Sequence, residues 1–459
     1  MDRMPTLIIA GPTIPASNWG SGRRLCRAAL AVLVVLGVAP SPSRAQFVLE
    51  REPIHYLRGP HDDPAAALAT RLAAANKQLA HDPRHGYLAG VLRELGISKE
   101  SQTLVFSKTS LQKSHIGPRR PRAIYFNDDS YVGWVQDGEV LEIVSIAPRV
   151  GPVFYTLRQA KTDRPQLVRQ SDDCLQCHAS ALTQGAPGLL VRSVFPGVSG
   201  SPILSAGSFH TTHHSPLAER WGGWYVTGSH GRQRHMGNAV LRGTEDPEKL
   251  DRHSGANLTD LAKRFDVRPY LSPHSDLVAL MVLEHQATVH NQITLAGYQA
   301  MLAQRDQEVL NAMSGKPAST PIESIDRRFD AAAEDLLNCL LLVGEAPLTD
   351  RIRGTSGFAD HFASIGPRDK RGRSLREFDL GRRLFKHPCS YLIDSKAFDA
   401  LPAPVRERTL TRLWAILNGA AEASEFPHLS QDDRQAIREI LVQTKTNLPA
   451  CWRREPPVR

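Results

Sequence analysis

RAIYFNDDSYVGWVQDGEVLEIVSIAP, residues 122–148, is the stretch whose reading decides how this chain folds. It is rich in the β-branched and aromatic residues that fit a pleated surface, and turn-forming residues break it twice. Asn127, Asp128, Asp129 and Ser130 make the first break; Gln136, Asp137 and Gly138 make the second. On either side, SQTLVFSK (101–108) and GPVFYTLRQ (151–159) read as further strands. Consecutive strands joined by such tight turns predict an antiparallel meander.

Helical signals flank this region. Upstream, PAAALATRLAAANKQLAHD begins at Pro64, with Asp63 placed as N-cap and proline at the first helical position. Downstream, SDLVALMVLEHQATVHNQITLAGYQAML predicts a long helix with Ser275 as N-cap. On its wheel Val278, Met281, Val282, His285, Val289 and Ile293 share one face, which is expected to be buried. Further helices are predicted over residues 321–344, 374–387, 404–419 and 430–445, with Gly344 and Gly419 as stop signals. The fold class expected is α+β. A β-rich part spans residues 46–160, a central segment 161–274, and a helical domain 275–459.

The central segment holds SDDCLQCHAS, residues 171–180, in which Cys174, Cys177 and His178 fall within five positions. A C-x-x-C pair serves as a redox disulfide, as half of a zinc site or, with histidine directly after it, as a haem attachment point. No second C-x-x-C exists to complete a zinc set, since Cys339, Cys389 and Cys451 are scattered singly. Cys339 sits among leucines and reads as a buried thiol, while Cys389 and Cys451 are candidates for a disulfide. The polar, acidic residues before the pair do not suit a thioredoxin-like motif, which follows an apolar strand.

The N-terminus bears on the same question. Arg23, Arg24 and Arg27 precede an apolar run over residues 28–39, and small residues follow to Ala45. A membrane-spanning helix needs about 20 apolar residues. The run is shorter and reads as a secretory signal peptide, residues 1–45, cleaved near Ala45 and Gln46. Cys26 lies before the run, so a lipid-modified cysteine is not expected. An exported, periplasmic protein follows, with no stable membrane span once the signal is removed.

With export expected, CLQCH resembles the attachment motif of c-type cytochromes. The resemblance implies one covalent haem c, with thioether bonds from Cys174 and Cys177 and with His178 as proximal ligand to the iron. The stretches AIYFNDDSYVGWV, SFHTTHHSPLAERWGGWYVTG and RLFKHPCSYLIDSKAFDALP are similar to those of bacterial proteins described only as containing a cytochrome c domain. Strands before the motif and a mature chain several times longer than a small cytochrome c exclude carrying over that family's helical fold.

A haem crevice needs apolar lining and often a second ligand. Trp221, Trp224 and Tyr225 offer lining in the segment that also holds His210, His213, His214, His230, His235 and His253. Singly, these histidines read as surface loop residues. Met236, which lies 58 residues beyond His178 in an apparent turn with His235, Gly237 and Asn238, is expected as distal ligand, with His285 second. His290 lies about 140° round the helix from His285, so the two cannot share one metal.

Two function classes follow: a mono-haem electron carrier, or a peroxidase-like haem enzyme or small-gas sensor using His285, His290 or Arg220 beside an open iron position. A di-haem peroxidase would need two C-x-x-C-H motifs. The net charge is +9; residues 1–45 hold five arginines and one aspartate, so +5 remains without them. With no block of Lys and Arg, nucleic acid is not expected as a partner, and the mild excess suits at most an acidic redox partner.

Overall fold

Asn127 closes the first turn of the meander with its own side chain. Its Oδ1 accepts hydrogen bonds from the N–H groups of Asp129 (3.2 Å) and Ser130 (2.9 Å) in the computed structural model of the chain. The structure describes residues 49–59, 61–74, 78–243, 246–419 and 424–453, all within one compact unit. The signal peptide expected over residues 1–45 lies outside the described residues.

Two short helices, α1 (Pro64–Ala73) and α2 (Leu88–Leu95), precede the sheet. Strands β1 (Thr103–Val105), β2 (Arg122–Phe126), β3 (Ser130–Trp134), β4 (Val140–Ala147), β5 (Gly151–Arg158) and β6 (Leu167–Gln170) run in sequence order as an antiparallel meander. A small hairpin, β7 (Arg192–Val194) with β8 (Ser208–His210), stands apart. Strand β9 (Trp224–Tyr225), from the central segment, adds to β1 and completes a seven-stranded sheet. The expected α+β class and meander are therefore present.

Register divides the sheet into two faces. Tyr125, Val132, Ile143 and Tyr155 lie side by side across four strands and are buried against Leu68 of α1 and Leu88 of α2. Asp63 caps α1 as expected, its Oδ1 accepting from Ala65 and Ala66 at 3.0 Å, and its Oδ2 accepts the Tyr155 hydroxyl at 2.7 Å. On the opposite face Phe126, Tyr131 and Ile146 are buried against a long helix, α4 (Leu277–Met313), while Ile124, Glu142, Val144 and Thr156 remain half-buried.

Helix α4 has 37 residues, about 55 Å at 1.5 Å each. Its N-cap is Asp276 rather than Ser275. Ser275 is taken by the sheet: its hydroxyl donates to Tyr225 O (2.6 Å) and accepts from Leu104 N (2.9 Å). The face expected to be buried is buried, but Leu277, Leu280, Leu283, Glu284, Gln286 and His290 are buried too, so the first half of α4 is enclosed all round.

Five later helices among the described residues pack beyond α4: α5 (Glu323–Leu340), α6 (Phe358–Ser364), the single turn α7 (Lys396–Asp399), α8 (Ala403–Leu417) and α9 (Gln431–Thr444). Gly419 ends α8 as expected, with a φ of 72°, the left-handed geometry of a stop, whereas α5 ends before Gly344: Leu342 already has a φ of 52°, and Val343 N donates back to Asn338 O. The helix expected over residues 374–387 is absent. Asp379 Oδ1 accepts from Gly381 (2.8 Å) and Arg382 (2.9 Å), and the chain reverses so that Phe378 bridges Phe385. Their rings stack at 5.8 Å within the core, and this tertiary contact outweighs helical propensity. All cysteines among the described residues are free thiols, so Cys389, wholly buried, and Cys451 are not bonded to each other.

Candidate functional site

The motif forms a helix of its own, α3 (Asp172–His178), entered directly from the edge strand β6. Cys174, Cys177 and His178 stand at i, i+3 and i+4, which places all three on one side of α3. Leu175 is buried beneath it and anchors the helix to the core. Cys177 is exposed and Cys174 half-buried. Burial pushes the Cys174 thiol up to about 11, with Glu142 and Asp173 adding to the shift, so it is protonated at neutral pH. A dithiol built for exchange has a lowered pKa instead.

His178 is fixed by two contacts. Its Nδ1 lies 2.8 Å from Gly188 O, and its ring packs on Phe154 of β5 with centroids 4.8 Å apart. A carbonyl only accepts, so Nδ1 carries the hydrogen and Nε2 keeps its lone pair. Burial holds the imidazole below its usual pKa, which keeps it neutral and able to act as a ligand. Metal-bound histidines characteristically donate their second ring N–H to a carbonyl or carboxylate in this manner. Two thiols with one neutral, oriented imidazole on a single helix face therefore fit a covalently held haem.

The sheet face that carries Phe154 also presents the half-buried Ile124, Val144 and Thr156 and an ion pair, Arg122 Nη2 to Glu142 Oε2 at 3.0 Å. The Arg122 guanidinium lies over Gly133, where a Cβ would meet its Nε at 2.7 Å. Gln112 donates to the other oxygen of Glu142 at 3.1 Å.

The other expected residues lie among different neighbours. Met236 is fully buried with Phe195, Ala239, Leu241 and Leu250, and the Ser193 hydroxyl points at its sulfur from 3.6 Å. His285 Nε2 lies 2.8 Å from Ser390 Oγ, and its ring packs edge-on against Phe385. Burial, and then the nearby His213 and His290, hold its pKa well below the usual value. His290 Nε2 bonds Asp128 O at 2.8 Å. Arg220 forms a buried ion pair with Glu284 at 2.9 Å and donates to Ser215 O at 2.8 Å. None of these contacts reaches His178.

The reading of the clustered histidines as surface residues holds for His214 and His253, which are exposed. It fails for His213, His230 and His235, which are buried, and His210 is half-buried. The connections there fold inward, as where Asn238 clasps both backbone groups of Val226 at 2.8 Å. A cavity of about 250 Å³ lies between Arg149, Gly151, Thr294 and Leu401, and none of the site residues lines it. Among the described residues no three His, Cys, Asp or Glu side chains are grouped to hold a metal ion. Compared with protein-family models, curated proteins and solved structures, the chain has no match.

Proposed function

We propose that this protein is an exported, periplasmic mono-haem c-type cytochrome that carries one haem on Cys174 and Cys177 and transfers electrons to or from a redox partner protein. The observation that carries this reading is the 2.8 Å contact from His178 Nδ1 to Gly188 O, on the helix face that also presents both thiols. When bound, the haem supplies a one-electron iron couple. Phe154 holds the plane of the imidazole, and the Gly188 carbonyl fixes its tautomer and raises the basicity of Nε2. Ile124 and Val144 offer apolar surface on the sheet face that carries Phe154. The mild positive charge suits an acidic partner.

As a second protein ligand to a bound haem, Met236 is proposed first and His285 second. Each has a partner inside the protein, Ser193 and Ser390 respectively, which it would leave in order to ligate. That commitment favours a second reading, a haem enzyme or small-gas sensor with an open iron position. Optical spectra of the mature protein, oxidised, reduced and with carbon monoxide, decide between them. A low-spin spectrum unresponsive to carbon monoxide supports the electron carrier, and a high-spin, gas-binding spectrum supports the second reading. The absence of any haem spectrum overturns both.

A further inference from the structure

We infer that Asn291 of α4 is the positioning residue for the proximal imidazole and thereby sets the reduction potential of the site; the second half of this rests on the haem reading. The Asn291 side-chain amide grips a single backbone unit from both sides, accepting from Leu189 N at 2.7 Å and donating to Leu189 O at 2.8 Å. The residue before Leu189 is Gly188, which is joined to His178 by a reciprocal pair. Gly188 N donates to His178 O at 2.7 Å, and Gly188 O accepts from His178 Nδ1 at 2.8 Å. The amide lies so close to Gly188 that a Cβ there would meet Asn291 Oδ1 at 2.9 Å.

Helix α4 is a firm base for this grip. Asp276 caps its first turn, Gln286 donates to Asn127 O and to the Tyr131 hydroxyl at 2.6 Å, and His290 bonds Asp128 O. The path runs from α4 through the Asn291 amide to the Leu189 backbone, then to the Gly188 carbonyl and the His178 ring. A carbonyl held in place keeps the Nδ1–H bond short and strengthens the imidazole as a donor, which with haem bound would favour oxidised iron and lower the potential. Release of the carbonyl weakens that bond and raises the potential.

The test compares wild type with Asn291→Leu, which removes both bonds at similar size. Thr294→Val serves as control; it cuts only the Thr294 Oγ1 to His290 O bond one turn along the same helix. Two quantities are read: the reduction potential, and the exchange rate of the His178 Nδ1 proton by NMR of the reduced protein. Asn291→Leu is expected to raise the potential and to speed exchange about tenfold, while Thr294→Val leaves both unchanged. If Asn291→Leu does not fold, Asn291→Asp keeps the acceptor for Leu189 N–H, loses the donor, and is read by exchange alone, with faster exchange expected. Wild-type potential and exchange in Asn291→Leu, or wild-type exchange in Asn291→Asp, overturn the inference. Wild type without haem overturns the haem reading instead, and the exchange measurement on that same protein still tests the grip of Asn291 on His178.

Discussion

Gly188 and His178 hold each other by two hydrogen bonds, backbone N–H to carbonyl at 2.7 Å and carbonyl to ring Nδ1 at 2.8 Å. Position 188 has no room for a side chain, since a Cβ would meet Thr183 Cγ2 at 2.7 Å and Asn291 Oδ1 at 2.9 Å. Gly188→Ala is therefore expected to shift this segment and to cost about 1–3 kcal/mol. Urea unfolding measures it, and a midpoint equal to wild type contradicts the packing described.

Acid sensitivity follows from the buried histidines. Burial pushes His213 and His235 down to about 3, with the His214 and His230 rings beside them adding to the shift. Unfolded, each titrates near 6.5. Below 6.5 the unfolded chain takes up protons that the fold refuses, so this stability is present above 6.5 and is lost as pH falls toward 3. Burial raises Glu284 and Glu345 to about 7, which acts with opposite sign between 4.5 and 7, so a difference measurement is the clear one. Relative to wild type, His213→Gln should gain about 1.4 kcal/mol for each pH unit lowered from 6.5. Parallel stability curves for the two proteins contradict the assignment.

His285 depends on Ser390. The hydroxyl lies 2.8 Å from Nε2, and Nδ1 has no hydrogen-bond partner among the described residues. Ser390→Ala leaves a buried imidazole without a partner, at an expected cost of about 1–3 kcal/mol. In a His285→Leu background the same change should cost much less, and the double-mutant cycle reads the coupling. Equal costs in both backgrounds mean that the two side chains do not interact.

Much of the fold is legible in the residues. Turn chemistry at Asn127 and Gly138, capping at Asp63 and the stop at Gly419 act locally, and each stands where short-range rules place it. What the sequence does not reveal is set by contacts distant along the chain. Ser275 reads as a cap, yet a sheet edge some 50 and 171 residues away takes its hydroxyl. Residues 374–387 have helical spacing but fold back through the stack of Phe378 on Phe385.

The candidate site divides in the same way. Cys174, Cys177 and His178 are visible because their spacing is local. Gly188 and Phe154, which fix the imidazole, and Asn291, which grips the Leu189 backbone beside them, have no local signal in the sequence. Met236 and His285 have the right chemistry for a distal ligand, but spacing in sequence does not reveal the Ser193 and Ser390 partners that the fold supplies.

The proposed function stands or falls with covalent haem on the two cysteines of α3. It is tested most directly by the intact mass and haem stain of the denatured mature protein, produced with periplasmic haem attachment, beside Cys174→Ala/Cys177→Ala made in the same way. The expected result is a wild-type chain heavier than the polypeptide by one haem and stained after denaturation, and a double variant at polypeptide mass without stain. A wild-type chain at polypeptide mass, unstained, would contradict it.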